Sequence, residues 1–124
     1  MAGTPVVLVV EDDWLLRECM AAHLRAAQLW ILEARTGEAA VALLDAGKHV
    51  DVVFTDIQLA GAMDGWDVGL RFRKVLPLIP VIYTSGNALR PELAVPKSLF
   101  FAKPYRPDAI VNACRSYLAE GFQQ

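Results

Sequence analysis

A chain of 124 residues, 55% hydrophobic and 21% charged, has the length and composition of one well-cored domain rather than of a disordered segment. Its formal net charge of −2, without any lysine- or arginine-rich run, excludes a broad surface for nucleic acid. No apolar run approaches the ~18 residues that span a bilayer, and no charged leader precedes an apolar stretch, so the expectation is a cytoplasmic protein without membrane insertion.

The first apolar run, Val6 to Val10, is rich in β-branched residues and reads as a buried strand. Glu11, Asp12 and Asp13 follow at once. Like charges a few Å apart repel by several kcal/mol at an effective dielectric of about 20, so this cluster requires a cation or protons. Leu16, Met20, Leu24 and Ala27 then recur at helical spacing, with Asp12 or Asp13 as N-cap. A second strand is expected over Trp30 to Ala34 and a second helix from about Gly37 to Ala46, stopped by Gly47. Val52 to Thr55 forms a third strand that leads into Asp56. A third helix spans about Trp66 to Val75 and ends before Pro77.

Val81 to Thr84 reads as a fourth strand leading into Ser85 and Gly86. The segment "GNALRPELAVPKS" carries two prolines and leaves room for one short helical turn. A fifth strand, Leu99 to Ala102, leads into Lys103 and Pro104, and a last helix follows Pro107 through Ile110, Val111, Cys114 and Leu118. Cys19 and Cys114 lack metal-ligand spacing and read as small core or helix-surface residues. His23 and His49 lie away from the strand ends and read as surface residues. Trp14 and Trp66, at helix starts, read first as packing residues.

Alternating strands and helices imply a parallel sheet covered on both faces, because each parallel crossover needs a helix to return the chain. In such sheets ligands bind beyond the carboxyl ends of the strands. Here those ends carry Glu11 and Asp12, Asp56, Ser85, and Lys103. Hard oxygen donors without histidine or thiolate suit Mg²⁺, with Mn²⁺ as a second choice. An aspartate at such a site can itself attack a phosphoryl group, while the metal and Lys103 spread the charge on the phosphoryl oxygens and a Ser85 hydroxyl binds one of them.

"VLVVEDD", "DVVFTDI", "MDG", "PVIYTSG" and "FFAKPY", in that order, resemble the receiver domain of bacterial two-component response regulators over about Val6 to Leu118. The resemblance implies an α/β, doubly wound, flavodoxin-like fold with five parallel strands in the order 2-1-3-4-5 and five helices. It implies Asp56 as phosphoacceptor, Glu11 and Asp12 as the acidic pair, and the Gln58 backbone carbonyl as a further Mg²⁺ ligand beside Asp56. It also implies Ser85 as the switch hydroxyl, Lys103 as the phosphate-contacting lysine, and Phe100 as the aromatic switch position. The Gln58 side chain would tune access of hydrolytic water, and Lys103–Pro104 fits a step that is often cis in this family. The helix begun by Trp14 would dock a kinase or phosphotransfer helix.

Three departures from the family pattern carry expectations of their own. The loop after Asp56 is about one residue longer than usual. The segment from Ser85 to Lys103 is shorter by roughly four residues, which by helix rise removes about one turn of the fourth helix. Phe100 lacks the hydroxyl that a tyrosine would bring.

The implied function is that of a single, stand-alone receiver over residues 1–124. It would accept a phosphoryl group from a sensor histidine kinase or a histidine phosphotransfer protein and signal to a downstream protein partner by shifting a conformational equilibrium. One alternative is a pseudo-receiver docking module, whose signature would be loss of the acidic pair or the lysine. A second is a Mg²⁺-dependent phosphohydrolase of the haloacid dehalogenase type, which carries an acid two residues after its nucleophile, where this chain has Gln58.

Overall fold

The computed structural model describes residues 3–87 and 89–120. Its strands are β1 (Val6–Val10), β2 (Trp30–Ala34), β3 (Val52–Asp56), β4 (Val81–Ser85) and β5 (Leu99–Ala102). Its α-helices are α1 (Trp14–Ala26), α2 (Gly37–Asp45), α3 (Gly65–Val75) and α4 (Pro107–Ala119). The strands form one parallel sheet in the order β2-β1-β3-β4-β5, the order that the resemblance implies. The third and fourth strands each extend one residue beyond their apolar run, so Asp56 and Ser85 close the strands rather than follow them.

Alternation along β1 divides the core into two layers. Val7 and Val9 face Met20, Leu24, Ile110 and Cys114 from α1 and α4. Leu8 and Val10 join Val68 and Phe72 of α3 and Leu44 of α2 on the other side. The central strands β3 and β4 are buried at every position, as expected for parallel strands covered on both faces.

Local sequence sets the helix ends. Asp13, rather than Asp12, caps α1 by accepting from the amides of Leu15 and Leu16. Thr36 caps α2, and Asp64 and Asp67 form a reciprocal capping box on α3.

The shortened fourth helix is reduced further than the length difference implies. Among the described residues, the crossover from β4 to β5 contains only a 3-10 turn, Pro91–Leu93, so the helix of Pro107–Ala119 is the fourth rather than the fifth. Pro96 explains the stop: it forces extended backbone on the residue before it and removes the amide that another turn needs. Beneath the crossover lies Tyr83 of β4, whose ring packs against Trp66 with centroids 4.7 Å apart. Its hydroxyl accepts from Val95 N–H at 3.2 Å, tying the crossover to the sheet.

Candidate functional site

The carboxyl ends of β1, β3 and β5 bring Glu11, Asp12, Asp56 and Lys103 together. Carboxylate oxygens of Glu11, Asp12 and Asp56 lie within 4.8 Å of one another. Lys103 Nζ donates to Asp56 Oδ2 at 2.8 Å and to Glu11 Oε1 at 3.2 Å. Glu11 and Asp56 are 3% and 5% exposed, whereas Asp12 faces solvent. Two buried acids therefore form the floor of the site and a third its open edge.

Each acid is braced by backbone. Glu11 Oε2 accepts from Asp13 N–H at 3.1 Å, and Asp56 Oδ1 accepts from Gln58 N–H at 3.3 Å. Arg17 on α1 donates to the Glu11 carbonyl at 2.9 Å and pairs with Glu33 of β2 at 3.1 Å, which fixes the acidic turn against the edge of the sheet. Lys103 N–H donates to Ser85 O at 2.9 Å, and the Lys103–Pro104 peptide is cis, as the resemblance implies.

Burial, reinforced by the Asp56 charge, pushes the Glu11 carboxyl up to about 7 against the opposing pull of the Asp13 amide and Lys103. Burial alone would lower the Lys103 ammonium, but its hydrogen bond to Asp56 and the charges of Asp56 and Glu11 hold it above its ordinary value. Burial and the Glu11 charge together push the Tyr105 phenol up to about 12. The site thus sets one ammonium, held above its ordinary value, against three carboxyl groups, a surplus of acid.

That surplus is what a hard divalent cation would answer. The donor set is all oxygen, clustered, and partly open to water, which fits Mg²⁺ or Mn²⁺ and not a thiolate- or imidazole-binding metal.

The remaining positions named from sequence are placed less centrally. Ser85 is buried at the end of β4, one step past the Thr84 that registers with Asp56, and its Oγ accepts from Asn87 N–H at 3.0 Å. Gln58 is exposed in the loop after β3. Phe100 is half-buried on β5 in register with Tyr83, and so lies along the sheet rather than at the rim. Trp66 is buried, as read, but Trp14 is 64% exposed beside Leu15 at 66%, so Trp14 is not a packing residue. Cys19 and His23 lie on the surface of α1, Cys114 is in the core, and exposed His49 pairs with Asp51. Sequence reasoning missed Arg17 and Glu38, which act on main-chain groups and carry no motif.

The sequence profile of the response regulator receiver domain matches residues 7–115. The autoinducer 1 sensor kinase/phosphatase LuxN of Vibrio campbellii is 30% identical over 115 residues, covering 93% of this chain and 13% of that protein. The C4-dicarboxylate transport transcriptional regulatory protein DctD of Rhizobium meliloti is 32% identical over 93% of this chain and 25% of its own length. The chain thus spans a small part of these relatives. Among solved structures, a response regulator receiver protein from Sinorhizobium medicae WSM419 superposes with a TM-score of 0.90 at 27% identity, covering 94% of this chain and 95% of that one.

A five-stranded parallel sheet with an acid-lysine cluster at its carboxyl rim defines the class of protein as a two-component signalling domain. This chain belongs to the response regulator receiver domain family. No helix among its described residues is long and apolar enough to cross a membrane.

Proposed function

We propose that Asp56 accepts a phosphoryl group from a phosphohistidine, borne by a sensor histidine kinase or a histidine phosphotransfer protein, and that a downstream protein partner reads the modified form. The observation that carries this reading is the Lys103 ammonium seated between Asp56 and Glu11, with Asp12 completing the acidic wall.

In the transfer, a carboxylate oxygen of Asp56 attacks phosphorus, a new P–O bond forms, and the P–N bond to the histidine ring breaks. The electron pair returns to the departing imidazole nitrogen. Lys103, held protonated by its acidic partners, would donate to the phosphoryl oxygens and stabilise their charge. Glu11, Asp12, Asp56 and the Gln58 carbonyl would hold Mg²⁺ or Mn²⁺, which when bound supplies further charge neutralisation to the phosphoryl group. Arg17 keeps the acidic turn in place through the Glu11 carbonyl.

Ser85 gives the signal its route. Its Oγ already accepts from Asn87 N–H, and its O–H would donate to a phosphoryl oxygen, drawing the end of β4 toward Asp56 and changing the packing at Phe100. Beside Lys103 a hollow of about 390 Å³ is lined by Leu16, Cys19, Met20, Pro104 and Tyr105, and an incoming helix would cover it while presenting its phosphohistidine to the rim, with Trp14 and Leu15 exposed at the start of the same α1. Retention of Glu11, Asp12 and Lys103 speaks against the docking-only reading, and Gln58 in place of an acid speaks against turnover on outside phosphoesters.

Beryllium fluoride, an acyl-phosphate mimic, tests the reading when titrated with Mg²⁺ while tryptophan fluorescence is followed. The expected result is a saturable change in the wild type that Asp56→Asn abolishes. No change in the wild type contradicts it.

A further inference from the structure

The loop that carries Gln58 is held from outside the site. At its base, Gly65 N–H donates to Ile57 O at 2.8 Å. At its far turn, the amides of Ala62 and Met63 both donate to Glu38 Oε2, at 2.8 and 3.2 Å. Glu38 belongs to a different element, the first turn of α2.

Two glycines make room for this contact. A Cβ on Gly37 would stand 2.8 Å from Met63 Cβ and 3.0 Å from the Met63 carbonyl oxygen, so only glycine lets α2 approach the loop this closely. A Cβ on Gly61 would stand 2.8 Å from Glu38 Oε1. Gly61 also adopts φ +96°, in the left-handed region that favours glycine, and this turns the amides that follow it toward the carboxylate. The Glu38 carboxyl is held below its ordinary value by its own backbone N–H first, then by that of Ala62, with Met63 adding to the effect.

We propose that Glu38 is a positioning residue of the phosphorylation site: it clamps the lengthened loop and thereby fixes the backbone of Gln58, whose N–H donates to Asp56 and whose carbonyl is a candidate cation ligand. This inference rests on the reading of Asp56 as a cation-dependent phosphoacceptor. The mechanism is one of preorganisation. When a loop is ordered only part of the time, the apparent affinity of its ligand falls by the fraction of time it is ordered. Loss of the clamp therefore weakens cation binding while leaving the chemistry of the assembled site intact.

The test is a Mg²⁺ titration of the wild type, Glu38→Ala and Glu38→Gln, followed by tryptophan fluorescence, with amide exchange at Ala62 and Met63 and the rate of labelling by a small phosphodonor measured alongside. Glu38→Ala is expected to need roughly three- to tenfold more Mg²⁺, as loss of exposed charge-assisted hydrogen bonds implies. Its labelling rate at saturating Mg²⁺ should stay within a factor of about two of the wild type. The Ala62 and Met63 amides should exchange faster. Glu38→Gln keeps a carbonyl acceptor and should fall between the two.

Unchanged Mg²⁺ affinity in Glu38→Ala overturns the proposal, as does a labelling rate that stays low at saturating Mg²⁺. If the wild type takes no phosphoryl group, the reading of Asp56 fails instead, and the Mg²⁺ titration still decides the role of Glu38.

Discussion

Lys103 Nζ lies 2.8 Å from Asp56 Oδ2, although the two residues are 47 positions apart in the chain. The parallel crossovers deliver both to the same rim, where the ammonium offsets the mutual repulsion of Asp56 and Glu11. Lys103→Ala should therefore leave two buried acids facing each other. In cation-free solution the variant should lose about 1–3 kcal/mol of stability, less than for a fully enclosed pair because Lys103 is 23% exposed. Added Mg²⁺ should restore more stability to the variant than to the wild type, and phosphoryl labelling should fall by about tenfold or more. Thermal melts with and without Mg²⁺ check the first expectation, and donor labelling the second.

Gly65 is where α3 meets the site. A Cβ there would stand 2.2 Å from the Asp56 carbonyl oxygen and 2.7 Å from Ile57 Cα, both backbone atoms that cannot swing aside. Gly65→Ala should cost about 2 kcal/mol and lower labelling as well, because the strand end bearing Asp56 has to shift. Gly47, at φ +76° with nothing within 4 Å of its would-be Cβ, supplies the contrast. Gly47→Ala should lose roughly 1 kcal/mol through backbone strain alone and label normally. Denaturant unfolding and labelling of both variants separate the two effects.

Tyr83 and Gly69 are coupled by direct contact between β4 and α3. A Cβ on Gly69 would stand 2.2 Å from the Tyr83 hydroxyl oxygen, so the helix gives way where the sheet side chain needs room. Gly69→Ala and Tyr83→Phe should each destabilise, the second by about 1 kcal/mol through loss of the Val95 hydrogen bond. The double variant should be more stable than the sum of the two losses, since removing the hydroxyl takes away the shortest contact and leaves the ring carbons at 3.0 and 3.1 Å. A double-mutant cycle by chemical denaturation measures the coupling, and strict additivity contradicts it.

How much of this was legible in the sequence follows from which interactions leave a pattern. The strands were legible because parallel strands buried on both faces are short apolar runs, and the rim residues because each stands directly after such a run. Glu11, Asp12, Asp56 and Lys103 can be grouped from the sequence for that reason. Glu38 and Arg17 were not legible, because they bind main-chain groups, and any segment presents the same amides and carbonyls. The extent of the fourth-helix loss was hidden too. Two prolines announce a break, but that Tyr83 ties the crossover to the sheet through Val95, with room made by Gly69, depends on neighbours only in space. A place at a helix start does not distinguish Trp14, left to solvent, from Trp66, turned inward.

The cysteines give a prediction about burial. Burial pushes the Cys114 thiol up to about 12, while Cys19 is exposed. Under native conditions near pH 8, alkylation should modify Cys19 readily and Cys114 only after unfolding. Because the folded state keeps the Cys114 proton to higher pH than the unfolded chain does, the stability it contributes is complete below about 9, the ordinary thiol range, and is lost as pH rises toward 12. Cys114→Ala should flatten that part of the stability profile. Mass spectrometry of the alkylated protein and melts across alkaline pH check the two expectations.

The central claim is that Asp56, and no other residue, carries phosphorus in a cation-dependent way. The most direct measurement is to phosphorylate the protein with a small phosphodonor in Mg²⁺, reduce the acyl phosphate with borohydride, and locate the altered residue by peptide mass. The account predicts conversion at residue 56 alone, dependent on Mg²⁺ and absent from Asp56→Asn. Conversion at another carboxylate, or none in abundant Mg²⁺, would contradict it.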